Sequence, residues 1–198
     1  EGQIIKRHPE FCLDRRNLLH RIDYEKGTIE LEGIEYPLLD TNFPTIDPKD
    51  PYTFTDQEAD IMERLERAFT NCDKLQQHMK FLLAKGSLYK VYNNNLLYHG
   101  CVPLNEDGTF KEVEIYGKKY KGKALYDILD NYVRKGFVAM DREERERGRD
   151  LMWYIWLHEN SPLFGKDKMA TFERYFLTEK ETHKETKNPY YHFLENEE

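Results

Sequence analysis

Three consecutive asparagines between two apolar segments constrain the fold of this chain more than any other feature. They are Asn93, Asn94 and Asn95, and they join the alternating segment 86–92 to the apolar run 96–98. Asparagine tolerates the left-handed backbone that a tight hairpin turn requires. The run 96–98 has the length and the bounding turn residues of a buried strand. The sequence therefore predicts a β-hairpin whose second strand is buried.

The predicted hairpin ends in His99 and Gly100. Glycine at a strand end lets another part of the backbone approach closely. A histidine where a strand leaves the sheet is a common catalytic or metal-binding residue, and it is also a common hydrogen-bonded structural residue. The residues alone leave both interpretations of His99 open.

Composition narrows the class of protein. The 198 residues suffice for one domain with a sizeable core, and 34% of them are charged, with a net charge of -7. An acidic chain argues against nucleic acid as the main partner. No apolar stretch approaches membrane-spanning length, so no membrane partner is expected. The three cysteines are far apart and lack metal or disulfide spacing, which favours a reducing compartment and hence the cytoplasm.

The first 52 residues are predicted to form a lead-in followed by a small β-meander. Pro9 breaks the initial helical segment. Turns at 25–27 and 32–33 separate three short strands. The segment 40–52 contains three prolines and is the best internal boundary. We therefore divide the chain into residues 1–52 and residues 53–198.

The clearest predicted helix follows this boundary. Thr55 and Glu58 form a capping box, and apolar residues then recur at three- and four-residue steps as far as Lys85 and Gly86. This length suggests a break near Thr70 and Asn71. Further predictions are a hairpin at 113–120, helices at 124–137 and 169–176, a solvated charge run at 142–149, a core segment at 151–157 and a loop at 160–166. The mixture of helices and short hairpins indicates an α+β fold.

Recognisable catalytic motifs are missing from the chain. The glycines do not form a phosphate-binding loop. There is no Gly-x-Ser-x-Gly elbow and no His-Glu-x-x-His. The residues alone thus indicate a soluble α+β domain with a strand-end histidine.

A resemblance to a known family goes further. The stretch KGSLYKVYNNNLLYHGCVPLNED, residues 85–107, resembles the class III fructose-1,6-bisphosphatases of Firmicutes and related bacteria. Further stretches agree with this family in order and spacing, namely IIKRHPEF (4–11), IDYEKGTIELEGIEYPL (22–38), MWYIWLHENSPLFGKDKMATFERYF (152–176) and EKETHKETKNPYY (179–191).

This resemblance implies a fold and an activity. The implied fold is the calcineurin-like metallophosphoesterase sandwich, of which this chain would be a part, with central β-hairpins and flanking helices. The implied reaction is the hydrolysis of fructose 1,6-bisphosphate to fructose 6-phosphate and phosphate, a step of gluconeogenesis. The family resemblance implies Mn²⁺ as cofactor, with His99 as a metal ligand and Gly100 leaving room for the ion.

The chain departs from the family pattern because it lacks four of the family's sequence motifs. It contains no Asp-x-His, no Gly-Asp-x-x-Asp-Arg-Gly, no Gly-Asn-His and no second Gly-His. A two-metal hydrolase needs about six ligands, and His99 is one. The resemblance thus implies a central fragment, catalytically inactive and without bound metal on its own, which could self-associate through its incomplete sheet.

Two further expectations concern binding. A cationic side chain should hold the second phosphate of the sugar, and Lys166 is the first candidate. Lys168, Arg174, Lys180 and Lys187 compete with it, and an ordinary surface lysine is the simpler interpretation. A different class of function also stays open, namely a free-standing interaction domain in which His99 is structural and the long helix packs on a partner.

Overall fold

The computed structural model describes residues 2–195. Within them lie seven α-helices, α1 (Gly2–Arg7), α2 (Asp56–Thr70), α3 (Asp73–Lys85), α4 (Lys123–Val138), α5 (Arg142–Leu157), α6 (Thr171–Phe176) and α7 (Tyr190–Leu194). The strands are β1 (Ile22–Asp23), β2 (Thr28–Leu31), β3 (Ile34–Pro37), β4 (Tyr89–Tyr92), β5 (Asn95–Tyr98), β6 (Val113–Ile115) and β7 (Lys118–Tyr120). This mixture confirms the predicted α+β class.

The chain divides into two compact units. The first contains Glu1–Leu82 and Ala170–Lys184, and the second contains Leu83–Met169 and Glu185–Glu198. The boundary predicted at residue 52 lies inside the first unit, and the division into residues 1–52 and 53–198 stays a prediction.

The first unit is built on the predicted meander. Strands β1, β2 and β3 pair antiparallel in that order. Ile22 and Ile29 are directly opposite each other and, with Leu177, form a small buried core. Pro37 is the last residue of the edge strand β3, where a missing backbone N–H costs no ladder hydrogen bond.

Helices α2 and α3 confirm the capping box and the predicted break. The Thr55 hydroxyl accepts a hydrogen bond from the Glu58 N–H at 3.3 Å, and the Glu58 carboxylate accepts one from the Thr55 N–H at 2.9 Å. The first helix ends at Thr70 and the second begins at Asp73. Neither helix buries a residue, and Phe69 on the apolar stripe of α2 is 62% exposed.

The second unit has its core between α4 and α5. The segment predicted as core supplies Leu151, Tyr154, Ile155 and Leu157, while Trp156 is 73% exposed. The two helix backbones approach closely where Gly136 faces Gly148. The charge run at 142–149 is the first half of α5, so the solvated segment and the core segment are one continuous helix.

Strands β4 and β5 form the predicted hairpin, but the prediction that its second strand is buried is wrong. Leu96 and Leu97 are 55% and 54% exposed. Only the base of the hairpin is covered, where Tyr89 and Tyr98 each meet Tyr126 of α4 edge-on. A two-stranded sheet is a single thin layer, so its apolar side chains stay exposed wherever no other element lies against it.

Candidate functional site

The β4–β5 hairpin places His99 at the edge of the second unit. Asn93 and Asn94 form its turn with φ of 48° and 60°, the left-handed conformation expected from the sequence. The register pairs Tyr92 with Asn95 and Tyr89 with Tyr98, so β5 ends one residue before His99. The His99 side chain is exposed. Among residues 2–195 its ring has no hydrogen-bond or ion-pair partner, so its nitrogens are accessible from solvent.

Gly100 fixes the position of this strand end against a neighbouring loop. Its φ is +88°, and a Cβ added there would lie 2.1 Å from the carbonyl oxygen of Pro162. The next residue, Cys101, donates its N–H to the same oxygen at 2.8 Å. The predicted close backbone approach is thus confirmed. The Pro162 backbone occupies the place that a Gly100 side chain would take. The expectation that this strand end leaves room for an ion stays a prediction.

Cys101 belongs to the core of the second unit. Its side chain is buried, and burial raises the pKa of its thiol to about 11. At neutral pH the thiol therefore keeps its proton and packs as a small apolar side chain. Burial also raises the pKa of Tyr126, whose hydroxyl donates a hydrogen bond to the Cys101 carbonyl at 2.8 Å.

The loop that contacts Gly100 leads to Lys166. The Lys166 ammonium forms an ion pair with Glu185 at 2.6 Å, and the two side chains are 26% and 16% exposed. The ammonium also lies 5.5 Å from the centre of the Phe164 ring. The first candidate for phosphate binding is therefore held by a carboxylate and an aromatic ring of its own unit.

A cleft of about 450 Å³ lies beside this ion pair. Three chain segments form its walls, namely 104–111, 159–167 and 186–189. Hydrogen bonds join them, since the Leu104 N–H donates to the Asn188 side chain at 3.1 Å and the Asn188 N–H donates to the Gly165 carbonyl at 2.9 Å. Through Pro162 the same loop is bonded to Cys101, so the cleft wall and the His99 strand end are one connected structure.

The competing cations are distributed over both units. Lys187 lines the same cleft as Lys166. Lys168 belongs to the second unit but does not line the cleft. Arg174 and Lys180 belong to the first unit. Of the five predicted candidates, the structure therefore brings together Lys166 and Lys187.

The described residues do not fit a complete metal site. Among residues 2–195, no three His, Cys, Asp or Glu side chains form a group that could hold a metal ion. His99 can offer one imidazole ligand, and no step of a reaction can be built on that ligand alone.

Sequence reasoning missed Lys111, which lines the cleft, and Glu185, which pairs with Lys166 beside it. Glu185 is 19 residues from its partner Lys166, and no local pattern connects them. Lys111 follows a turn in a segment without helical or strand periodicity. Either residue could have been found only from the pairing of segments that are distant in sequence.

None of the helices among residues 2–195 is long and apolar enough to cross a membrane.

Comparison with known proteins identifies the family. Residues 1–198 match the family described as Firmicute fructose-1,6-bisphosphatase. The curated relatives include "Fructose-1,6-bisphosphatase class 3" of Clostridium novyi, 55% identical over 198 residues, and the proteins of the same name in Clostridium acetobutylicum and Clostridioides difficile, each 54% identical. The chain belongs to the Firmicute fructose-1,6-bisphosphatase family.

The chain spans less than a third of the length of the curated relatives that it matches. The match covers 100% of this chain and 30% of each of these relatives. No solved structure is significantly similar to the chain.

Proposed function

We propose that the intact protein is a metal-dependent fructose-1,6-bisphosphatase of the cytoplasm. It would hydrolyse fructose 1,6-bisphosphate to fructose 6-phosphate and phosphate, a step of gluconeogenesis. The observation that carries this proposal is the match to the family over the whole chain, with about 55% identity to relatives named for this activity. The acidic net charge of -7 agrees with a partner other than nucleic acid.

The proposed fold of the intact protein is a calcineurin-like metallophosphoesterase sandwich. The β4–β5 hairpin supports this proposal for two reasons. Its second strand ends just before the exposed His99, and its apolar side chains Leu96 and Leu97 are uncovered. In the proposed sandwich, further strands would lie against this hairpin and bring other ligands to His99.

Mn²⁺ is the proposed cofactor, with His99 as one of its ligands. The exposure of the imidazole and its lack of a partner among the described residues support this role. When bound, the metal would supply Lewis-acid chemistry at phosphorus. The cleft beside Lys166 is the proposed site for the second phosphate group, the one that the reaction leaves on the sugar.

The exposed apolar residues also favour an interaction role. We propose that the 198-residue chain self-associates in solution. A second copy would cover the β4–β5 hairpin by pairing with the open edges of its sheet. A free-standing interaction domain without catalysis is the second candidate function, and the exposed stripe of α2 is the observation that favours it.

Phosphate release from fructose 1,6-bisphosphate separates the two candidates. We expect Mn²⁺-dependent turnover by the intact protein and none above background by the 198-residue chain, because one ligand cannot hold the metal. Absence of turnover by the intact protein would refute the proposed enzyme. Mn²⁺-dependent turnover by the isolated chain, lost on His99→Ala, would refute the proposal that the chain is incomplete.

A further inference from the structure

Helix α2 carries an apolar stripe that is about half exposed. Ile61, Met62 and Leu65 are 51%, 48% and 47% exposed. With Phe54 and Phe69, the side chains of Met62 and Leu65 line a groove of about 690 Å³ along the helix. No other element among residues 2–195 packs extensively on α2. A helix of 15 residues is only marginally stable in water by itself, so a partner that covers this stripe would stabilise it.

Helix α3 exposes a second apolar surface, and its charge is opposite to that of α2. Phe81 and Leu82 are 64% and 57% exposed. Lys74 lies two helical turns before Phe81 and therefore on the same face of the helix. Helix α3 contains three lysines and one acidic residue, whereas α2 contains five acidic residues and two arginines. A basic helix and an acidic helix, each with exposed apolar side chains, are complementary to each other.

The charged groups beside the two surfaces are available for pairing. Glu66 lines the groove of α2 and is exposed, and Lys74 is exposed on α3. Within the part of the chain that the structure describes, neither side chain forms an ion pair. The other carboxylate of the groove, Glu63, is paired with Arg67 of its own helix. A contact between the two faces would cover apolar side chains on both helices and bring Glu66 close to a lysine.

The two faces also match in position when the helices are antiparallel. Residues 71–72 link α2 to α3. Met62 is as far before this link as Phe81 is after it, and Ile61 and Leu82 match in the same way. An antiparallel pair of helices that is centred on the link therefore places the exposed apolar side chains of α2 opposite those of α3.

Within one chain, α2 and α3 do not fold back on each other. They share no extensive contact, and the apolar side chains of both faces remain exposed. The Gln76 side chain donates a hydrogen bond to the Thr70 carbonyl at 3.2 Å, which joins the first turn of α3 to the last turn of α2. A second copy of the chain can offer the same two faces without breaking this connection. In a two-fold symmetric pair, each face would then be covered by the other.

We propose that two copies of this protein associate through these helices, with α2 of each copy lying antiparallel on α3 of the other. In this dimer Phe81 enters the α2 groove of the second copy, and Lys74 lies beside its Glu66. The two-fold axis passes near the link, so the two Cys72 side chains lie close together. These residues belong to the first unit, whereas the β4–β5 hairpin belongs to the second, and the inference does not depend on the proposed catalytic activity.

Sedimentation velocity of the Leu97→Lys chain tests the proposal, because this substitution weakens the separate contact through the hairpin. We expect a dimer whose dissociation constant rises at least tenfold when Leu65→Lys is added, since symmetry places the substitution in the interface twice. Glu66→Lys and Lys74→Glu should each weaken the dimer several-fold, and the two together should restore it. Glu25→Lys, at an exposed glutamate in the β1–β2 turn, is the matched control and should have no effect.

Cross-linking at Cys72 identifies the contact itself. In the Cys12→Ser variant, Cys72 is the one exposed cysteine, because Cys101 is buried. A short bismaleimide should join two chains through Cys72, and Leu65→Lys should remove most of this product. A Leu97→Lys chain that stays monomeric at every concentration, or a dimer that Leu65→Lys leaves unchanged, would overturn the proposal. A monomer whose Tm falls in Leu65→Lys would also overturn it, since α2 and α3 would then close on each other within one chain.

Discussion

At the scale of single residues, Gly100 links the strand end to the cleft. Its positive φ turns the chain after His99, and its missing side chain lets the Pro162 carbonyl reach the Cys101 N–H. The same contact anchors the loop that continues to Lys166. This backbone contact therefore connects the strand end at His99 to one wall of the cleft.

Replacing Gly100 by Ala should destabilise the second unit. The new Cβ would lie 2.1 Å from the Pro162 oxygen and 3.2 Å from the Leu163 Cα, so the loop must move. We expect a loss of about 1–3 kcal/mol in the free energy of unfolding, the usual cost of overpacking, measured by denaturant titration.

Gly117→Ala is the matched control for this substitution. Gly117 also has a positive φ, +76°, but a Cβ there would meet nothing within 4 Å. The control therefore carries the backbone strain without the clash. Equal losses for the two variants would show that the Pro162 contact contributes nothing of its own.

The sequence predicted some of the site residues but not their contacts. His99 could be placed at a strand end because the Asn93–Asn94 turn fixes the hairpin locally. The identity of the group that approaches Gly100 could not be predicted, because Pro162 is far away in the chain. The same reason applies to the pairing of Lys166 with Glu185.

At the scale of elements, α4 and α5 are held by a close contact between two glycines. A Cβ added at Gly148 would lie 2.3 Å from the Gly136 nitrogen and 2.5 Å from the Tyr132 carbonyl oxygen. The missing side chains let the helix backbones approach until the neighbouring side chains Leu129 and Leu151 are fully buried. This pair therefore sets the distance between the helices that form the core.

Gly148→Ala should lower the free energy of unfolding by about 1–3 kcal/mol. In an exposed helix the same substitution would raise stability by about 1 kcal/mol, because alanine is the better helix former. The sign of the change in thermal and denaturant unfolding is thus the test. A more stable variant would contradict the close packing of α4 on α5.

The elements themselves were predicted more successfully than their burial. Local signals fixed the capping box at Thr55, the break before Asp73 and the meander of β1 to β3. Whether an apolar stripe is buried depends on which other element packs against it. Hydrophobic periodicity does not reveal that element. For this reason the exposure of Phe69 on α2 and of Leu97 on β5 was not predictable from their patterns.

At the scale of the whole molecule, the exposed hairpin predicts self-association of the 198-residue chain. Leu97 is 54% exposed on a two-stranded sheet whose edges are open among the described residues. Leu97→Lys should raise the dissociation constant of the self-associated form about tenfold, because burying a leucine side chain stabilises by about 1.5–3 kcal/mol. Sedimentation velocity over a range of concentrations measures this constant.

Met140→Lys provides the control for this measurement. Met140 is a 93% exposed apolar side chain in the connection between α4 and α5, outside the hairpin itself. It should leave the dissociation constant unchanged. A chain that stays monomeric at all concentrations, or an equal effect of both variants, would contradict association through the hairpin.

His99→Ala, made both in the intact protein and in the 198-residue chain, tests the central claim most directly. In the chain, we expect a change in Tm of less than about 2 °C, because the side chain is exposed and loses no partner. In the intact protein, we expect Mn²⁺-dependent hydrolysis of fructose 1,6-bisphosphate to fall at least 10–100-fold, since even the loss of a residue that supports a metal ligand costs this much. His78→Ala, at an exposed position of α3, should leave both measurements unchanged. Full activity of the intact His99→Ala protein, or a large fall in the Tm of the chain, would contradict the assignment of His99 as a metal ligand.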